Sequence, residues 1–175
     1  MAGPDDWRIR EAGAEDAAAL ALVGGATFLE TFAGVLLGEA IVAHCARVHA
    51  AEAYRRDLEG GAKAWLAETA NGAAPVGFAL IGEPDLPTSR AGDVELKRIY
   101  LLSRFHGGGA GAALMHAAVQ SASARGDRLL LGVYAGNARA IAFYRRRGFA
   151  PIARRKFEVG GTLYDDIVFA KPLHS

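Results

Sequence analysis

Residues 107–111, Gly-Gly-Gly-Ala-Gly, are the part of this chain whose types and spacing most directly indicate chemistry. They follow an apolar, β-branched stretch at residues 94–102 and precede an alanine-rich stretch that is typical of a helix. Glycines that open a helix leave several backbone N–H groups without partners and place no Cβ in the way of a ligand. The helix dipole favours an anion there by roughly 0.3–1 kcal/mol. The sequence therefore predicts a phosphate-binding turn.

Two well-known phosphate-binding patterns fit this turn poorly. Residues 107–112 formally match the dinucleotide pattern G-x-G-x-x-A, and Asp127 lies 20 residues after Gly107. The acidic residue of that pattern belongs at the end of the next strand, whereas Asp127 precedes the apolar run at residues 128–133. A P-loop is excluded because no Gly-Lys-Ser or Gly-Lys-Thr follows the glycines. The glycines alone do not identify the ligand.

The elements that must position this turn can be read from apolar periodicity and turn signals. Strands are predicted at residues 7–10, 63–69, 76–81, 94–102, 128–133, 152–159 and 163–170. Helices are predicted at residues 14–22, within 27–60, after the glycine turn and at 137–147, with Gly24 and Gly25 interrupting the first helical stretch. The early strands form hairpins and the later ones have helical crossovers. We therefore expect an α/β (α+β) protein with a mixed sheet and a single domain, residues 1–175.

The strand before the turn changes phase in its middle. Its apolar side chains have one parity at Val94 and Leu96 and the opposite parity at Ile99 and Leu101. A β-bulge at Lys97 and Arg98 would keep all four on one face of the sheet, and bulges are frequent beside functional sites. The alternative is a strand end that is buried on both faces.

Composition limits the class of protein. With 175 residues, 51% hydrophobic and 22% charged, the chain is typical of a globular protein, and its net charge of +1 gives no indication of nucleic-acid binding. The basic runs at residues 145–147 and 154–156 are interpreted either as a solvated face or as an attraction for an anionic cofactor. The single cysteine, Cys45, excludes an internal disulfide. We see no signal peptide, membrane span or metal motif, and we expect a cytoplasmic protein.

Residues 94–115 resemble the acyl-coenzyme A binding motif of the GNAT superfamily of N-acetyltransferases. In that family a bulged strand leads to a turn of the form Gln/Arg-x-x-Gly-x-Gly/Ala at a helix start, and residues 106–111 fit it with His106 at the first position. A second family motif is similar as well: Asn137 starts a helix, Tyr144 follows seven residues later, and Gly148-Phe149 enters a strand. The resemblance implies the GNAT fold, with a mixed, mostly antiparallel sheet of about seven strands, about four flanking helices and a bulged fourth strand.

The resemblance also implies residues that bind acetyl-CoA as co-substrate. The backbone of Ile99, Tyr100 and Leu101 is expected to bind the pantetheine arm as an added strand would. Asn137 is expected near the thiol. The pyrophosphate is expected at the amides of Gly107, Gly108, Gly109, Ala110, Gly111 and Ala112.

The single cysteine gives no reason to expect an acyl-enzyme, so we predict direct transfer of the acetyl group to an amine in a ternary complex. By the resemblance, Tyr144 is expected to protonate the departing thiolate, and a free N–H near Leu101 to stabilise the negative charge on the acetyl oxygen. Glu95, just before the proposed bulge, is the first candidate for the general base, and Glu30 is the second.

The acceptor is less well defined by the sequence. Residues 30–32, 95–100, 156–160 and 164–166 are similar to a subgroup that includes spermidine/spermine acetyltransferases. Carboxylates that could pair with a polyamine are present at Glu30, Glu39, Asp165 and Asp166. We therefore expect a small primary amine or polyamine as acceptor, and a homodimer is compatible with the resemblance. The alternatives are a protein N-terminal or lysine acetyltransferase and a non-catalytic acyl-CoA-binding sensor.

Overall fold

One seven-stranded sheet runs through the computed structural model, which describes residues 3–174. Its strands are β1 (Trp7–Ala12), β2 (Lys63–Thr69), β3 (Pro75–Gly82), β4 (Asp93–Leu101), β5 (Arg128–Tyr134), β6 (Ala150–Val159) and β7 (Thr162–Pro172). Five helices accompany it: α1 (Ala17–Phe32), α2 (Gly38–Val48), α3 (Ala51–Glu59), α4 (Ala110–Ser123) and α5 (Ala138–Arg146). The predicted mixed sheet of seven strands is confirmed, with five α-helices where about four were expected.

The strand order is β1-β2-β3-β4-β5-β7-β6, and only β4 and β5 are parallel. Their pairing covers three residues of each strand, Asp93–Glu95 against Arg128–Leu130. Beyond Glu95 the two strands separate, although β4 continues to pair with β3 as far as Leu101. The sheet therefore contains a gap in its middle that opens toward the carboxyl ends of β4 and β5.

The predicted β-bulge in β4 is confirmed. Ile81 of β3 lies opposite Leu96 and Leu80 lies opposite Arg98, so Lys97 is the extra residue. The bulge restores the phase of the strand, and one core cluster contains all four apolar side chains, Val94, Leu96, Ile99 and Leu101. The bulge thereby determines which side chains of β4 after Lys97 point to each face of the sheet.

The two faces of the sheet are covered by different helices. On one face α4 and α5 pack on a core that includes Phe105, Leu114 and Phe169. On the other face α1 and α3 pack on a core that includes Leu20, Tyr54 and Phe78. The gap between β4 and β5 lies between these two layers.

The prediction that Gly24 and Gly25 interrupt the first helix is wrong. Helix α1 continues through both glycines, and Gly24 is buried. A Cβ on Gly24 would lie 2.4 Å from the Tyr54 hydroxyl oxygen and 2.5 Å from His49 Nδ1. Gly24 is therefore required for the close approach of two side chains to the helix, which the sequence pattern does not distinguish from a helix break.

Candidate active site

A cavity of about 890 Å³ follows the gap between β4 and β5. Its wall is built by α1, α2, β4, the glycine turn, β5, α5, β6 and β7. One end therefore lies at the start of α4, and the other lies between α1, α2 and the β6–β7 hairpin.

The glycine turn presents backbone donors to the first end of the cavity. Gly107 and Gly109 have φ values of +87° and +85°, which a residue with a Cβ adopts only with strain. Among residues 3–174, no acceptor takes the amides of residues 107–109, and the first three amides of α4 lack intrahelical partners by geometry. A Cβ on Gly107 would meet no atom within 4 Å. The turn thus has free donors and open space in front of them, as a bound pyrophosphate requires.

Not every residue of the turn faces the cavity. Gly107, Gly109, Gly111 and Ala112 line it, whereas the other two residues of the predicted cradle do not. The carbonyl of Gly108 accepts a hydrogen bond of 2.8 Å from the Trp7 indole, and Ala110 is fully buried. Gly108 and Ala110 hold the turn in place on its side away from the cavity. The sequence pattern could not distinguish residues with this structural role from residues that contact the ligand.

His106 fastens this turn to the end of β4. Its Nε2 lies 2.8 Å from the carbonyl oxygen of Leu101, and since a carbonyl only accepts, Nε2 donates. Its Nδ1 is buried without a partner among the described residues. His106 therefore takes a structural role at the position where the family motif carries Gln or Arg.

Alternate residues of β4 direct their backbone groups to the gap. The amide of Leu102 donates to the carbonyl of Val76 at 2.9 Å, so by alternation Tyr100 exchanges hydrogen bonds with β3. Ile99 and Leu101 consequently point their N–H and C=O groups away from β3, into the gap. The expectation that the Tyr100 backbone binds pantetheine is therefore wrong, and only Ile99 and Leu101 have backbone groups in the right direction.

Glu95 is not placed to contact an acceptor. Its buried carboxylate accepts hydrogen bonds from the backbone amide of Asp85 at 2.9 Å and from Lys97 Nζ at 3.1 Å. Burial raises the pKa of this carboxyl group, while the two donors oppose the rise. Glu95 does not line the cavity, because the loop at residues 83–92 folds over it. The prediction that Glu95 is the general base is contradicted by this position.

The other predicted carboxylates do not converge either. Glu30 and Asp166 line the cavity, whereas Glu39 and Asp165 do not. Glu30 accepts hydrogen bonds from the amide and hydroxyl of Ser103, at 3.1 and 2.5 Å. Asp166 is buried and pairs with Arg155 at 3.2 Å, and burial raises its pKa. No cluster of free carboxylates exists among the described residues for a polyamine.

Tyr144 lies in the cavity wall on the α4–α5 side of the gap. It is 8% exposed and packs among the rings of Phe143, Phe149 and Phe169. Its hydroxyl has no hydrogen-bond partner among residues 3–174, and burial, with a smaller effect from Tyr100, raises its pKa. Tyr144 is therefore protonated at neutral pH and free to donate into the cavity.

Asn137 caps α5 at the same wall. Its Oδ1 accepts a hydrogen bond of 3.1 Å from the amide of Ala140, which confirms the predicted N-cap. The cap occupies the side-chain oxygen, so the Nδ2 group is the part of Asn137 that remains available to a ligand.

The other end of the cavity is walled by aromatic rings. Phe28 contacts Phe32 at 4.5 Å between ring centroids, Phe32 contacts Tyr134 at 5.8 Å, and Tyr134 contacts Tyr164 at 6.1 Å. On the other side, Phe28 stacks on His44 at 4.3 Å, and His44 contacts Phe157 at 6.2 Å. We call these six residues the aromatic wall: Phe28, Phe32, His44, Tyr134, Phe157 and Tyr164.

His44 of the aromatic wall and His49, which lies behind it, both have lowered pKa values. The pKa of His44 is lowered by burial and by the charges of Arg47 and Arg98. The pKa of His49 falls to about 3, through burial and the charges of Arg98 and His44. This end of the cavity therefore disfavours an additional positive charge.

The model of the acetyltransferase (GNAT) family matches residues 35–149, which is more than half of the chain. The chain belongs to this family. The family predicted from the two motifs is confirmed. The glycine turn, Asn137 and Tyr144 all lie within the matched residues.

Individual relatives of this GNAT protein support the same assignment. An uncharacterized N-acetyltransferase of Mycobacterium tuberculosis is 43% identical over 82 residues, 46% of this chain and 53% of the relative. An uncharacterized N-acetyltransferase of Mycobacterium bovis matches to the same extent. The chain thus spans about half the length of the curated relatives that it matches.

Two solved structures are similar to the GNAT protein over nearly its full length. The PaiA N-acetyltransferase of Thermoplasma acidophilum, solved with coenzyme A, has a TM-score of 0.76 at 20% identity and covers 95% of this chain and 98% of its own. The ribosomal-protein-alanine N-acetyltransferase of Brucella melitensis has a TM-score of 0.72 at 26% identity, covering 94% and 99%. The predicted GNAT fold is confirmed.

Among the described residues, no helix is both long and apolar enough to cross a bilayer. Within residues 3–174 no group of three His, Cys, Asp or Glu side chains is arranged to hold a metal ion.

Proposed function

We propose that this GNAT protein is an N-acetyltransferase that transfers the acetyl group of acetyl-CoA directly to an amine. The observation that carries the proposal is the gap between β4 and β5. It has free backbone donors of the glycine turn at one end, an unpaired tyrosine hydroxyl in its wall and a separate aromatic-walled space at its other end. Acetyl-CoA supplies the activated acetyl group.

The co-substrate half of the cavity is complementary to coenzyme A. The amides of Gly107, Gly109, Gly111 and Ala112 would hold the pyrophosphate. The outward N–H and C=O groups of Ile99 would pair with the amides of the pantetheine arm, as a neighbouring strand would. Three arginines line this side of the cavity and attract the negative charge: Arg139, Arg146 and Arg147.

The chemical step forms an N–C bond and breaks a C–S bond, and residues of the chain manage the charges. The N–H of Leu101, free of β3, would donate to the acetyl oxygen as negative charge develops there. Tyr144 would give its proton to the departing sulfur, since its hydroxyl is unpaired and protonated. Asn137 Nδ2 lies on the same wall and would orient the thiol end.

The amine must lose a proton before it attacks. For an alkyl ammonium of pKa about 10.4 this costs about 4.6 kcal/mol at pH 7. Since Glu95 is outside the cavity, we propose that the surroundings lower this cost: burial among the aromatic rings disfavours the charged form. The lowered pKa of His44, a member of the aromatic wall, supports this, because burial is its largest cause. The proton then leaves through water at the open mouth of the cavity.

A second candidate acceptor is the N-terminal amine of a protein. It is favoured by the likeness to the ribosomal-protein-alanine N-acetyltransferase, which is the one of these two solved structures above 25% identity. A peptide would need to enter through the open end of the cavity between α1, α2 and the β6–β7 hairpin.

The proposed activity is tested by measuring thiol release from acetyl-CoA across a panel of amines. The panel contains amino acids, amino-acid amides, short peptides, aryl-alkyl amines, a lysine side-chain analogue and spermidine. We expect amine-dependent release of coenzyme A and a matching acetylated product by mass spectrometry. Tight binding of acetyl-CoA without turnover on any amine would contradict the proposal and identify a non-catalytic acyl-CoA sensor.

Replacement of Gly107 by Ala tests the co-substrate site. The new Cβ would enter the space in front of the free amides, and we expect the Kd of acetyl-CoA to rise about tenfold or more, equivalent to about 1.4 kcal/mol. Gly72→Ala is the matched control, because Gly72 also has positive φ (+79°) and open space but lies in the β2–β3 turn. Both variants carry similar backbone strain. An equal, small change of Kd in both would contradict the assigned cradle.

A further inference from the structure

Arg98 is a cation of the cavity whose charge is poorly compensated. Its side chain is 19% exposed, and its ion pair with Asp57 is long, 3.8 Å from Nη1 to Oδ2. Asp57 is itself 47% exposed, so solvent weakens this pair further. The remaining partners of the guanidinium, the Tyr54 ring at 5.3 Å and the Tyr100 hydroxyl, carry no charge. A half-buried guanidinium of this kind retains donors for an incoming anion.

The other charged side chains of the cavity wall are less suited to bind an incoming anion. The carboxylates in its wall are Glu30, which is bonded to Ser103, Asp166, which is paired with Arg155, and Glu158, which is exposed. The cations in its wall outnumber them: Arg47, Lys97, Arg98, Arg139, Arg146, Arg147 and Arg155. Lys97 pairs with Asp85 and Glu95, each at 3.1 Å. Two half-buried cations of the wall therefore lack a close carboxylate among the described residues: Arg147, which stacks on the Phe143 ring at 3.9 Å on the α5 side, and Arg98, which lies on the side of the aromatic wall.

The position of Arg98 relates it to the reacting atoms. It follows the bulge at Lys97 and precedes Ile99, whose backbone borders the gap. Its side chain lies on the α1–α3 face, where Tyr54 and Tyr100 pack and where the aromatic wall begins. A small molecule between Arg98 and the aromatic wall would therefore lie directly beside the gap.

We propose that the acceptor is an α-amino acid with an apolar or aromatic side chain, whose carboxylate is bound by Arg98 and whose side chain is enclosed by the aromatic wall. This inference rests on the proposed function and names its substrate class. A carboxylate matches the planar guanidinium with two parallel hydrogen bonds. In an α-amino acid the amine is one carbon atom away from the carboxylate carbon, so a carboxylate on Arg98 keeps the amine near Ile99 and the gap.

This substrate class agrees better with the cavity than a polyamine or a peptide does. A polyamine keeps further ammonium groups when one nitrogen reacts, and the acceptor end disfavours added positive charge. A peptide N-terminus carries an amide where the amino acid has its carboxylate, which leaves Arg98 without an anion.

The discriminating experiment compares acceptors that differ in the carboxylate alone. The probes are phenylalanine, phenylalaninamide and phenethylamine, with spermidine and an Ala-Phe dipeptide as the competing classes. In phenylalaninamide the carboxamide lowers the pKa of the neighbouring amine, so more of this probe is unprotonated and ready to attack. A preference for phenylalanine would therefore underestimate the effect of the carboxylate. We expect kcat/KM for phenylalanine to exceed that for phenylalaninamide by about 30-fold, as for a hydrogen bond between charged groups. A higher kcat/KM for phenylalaninamide, phenethylamine, spermidine or the dipeptide would overturn the inference.

Variants at Arg98 connect this preference to the residue. Arg98→Gln should reduce the ratio of the two kcat/KM values by about 30-fold, and Arg98→Lys should restore part of it. Arg56→Gln removes the same charge from the exposed side of α3 and is the matched control. Melting temperature and the Kd of acetyl-CoA are measured for each variant, so that a folding defect is recognised. A ratio that Arg98→Lys and Arg98→Gln leave unchanged would overturn the inference, whereas the proposed function fails only if no amine is acetylated.

Discussion

Replacement of Tyr144 by Phe is expected to lower kcat by about 10²–10³-fold, in the lower part of the range that is usual for a positioned general acid. The Kd of acetyl-CoA should stay within about twofold, because the ring that packs among Phe143, Phe149 and Phe169 is retained. The lost hydroxyl has no structural hydrogen bond among residues 3–174, so stability should change little. Rapid-quench or steady-state assays together with calorimetric binding separate the two quantities.

The pH profile gives a second test of the same residue. Since burial raises the pKa of Tyr144, its proton is present over the neutral and mildly alkaline range. We therefore expect kcat of the unmodified protein to show no alkaline decline below about pH 10, the ordinary pKa of tyrosine. Equal losses in kcat and in acetyl-CoA affinity on Tyr144→Phe, or an alkaline decline near pH 8, would contradict the role of proton donor.

Replacement of His49 by Asn is expected to remove a large part of the acid sensitivity of the fold. His49 is 5% exposed, its Nδ1 lies 2.7 Å from the Tyr54 hydroxyl, and its Nε2 is buried without a partner. Its pKa falls from 6.5 to about 3 in the folded protein, because burial and the charges of Arg98 and His44 disfavour the imidazolium. An unfolded chain would take up a proton at this residue near pH 6.5.

The direction in which stability changes with pH follows from this depressed pKa. The stabilising effect of the neutral imidazole is complete above pH 6.5 and is lost as the pH falls toward 3, at about 1.4 kcal/mol per pH unit. Between pH 6.5 and 4.5 the unmodified protein should therefore lose about 2 kcal/mol that His49→Asn does not lose, on the order of a 50-fold difference in the folding equilibrium.

The measurement is the free energy of unfolding in urea at pH 7.5, 6.5, 5.5 and 4.5 for both proteins. Asn keeps an acceptor near the position of Nδ1, and its cavity cost is independent of pH, so it appears already at pH 7.5. His116→Asn, on the exposed side of α4, is the matched control. Parallel stability–pH curves for the unmodified protein and His49→Asn would show that His49 is not the responsible group.

Features determined by short stretches of chain were well predicted from the sequence. The phase change between Leu96 and Ile99 predicted the bulge because period-2 alternation is a local rule. Gly107 and Gly109 predicted the turn because positive φ depends on the residue itself. Asn137 predicted a helix start because its side chain bonds the amide three residues on. The family motif joined these local features into one fold.

Features that depend on distant parts of the chain were not predictable in this way. Glu95 is removed from the cavity by the loop at residues 83–92, whose amide at Asp85 binds it, and no local pattern reports that contact. Gly24 continues a helix because His49 and Tyr54 approach it closely. The sequence indicated Arg98 only as part of the bulge, and not as a binding residue, since that role depends on the weakness of its ion pair with Asp57.

The contact between Trp7 and the glycine turn has a practical consequence. The indole donates to the Gly108 carbonyl, and its ring edge lies 3.5 Å from where a Cβ of Gly109 would be. Only one other tryptophan, Trp65, is present in the chain. Trp7 is thus an intrinsic fluorophore behind the glycine turn. Its fluorescence can be used to follow a titration with coenzyme A or its analogues without any label or coupled enzyme.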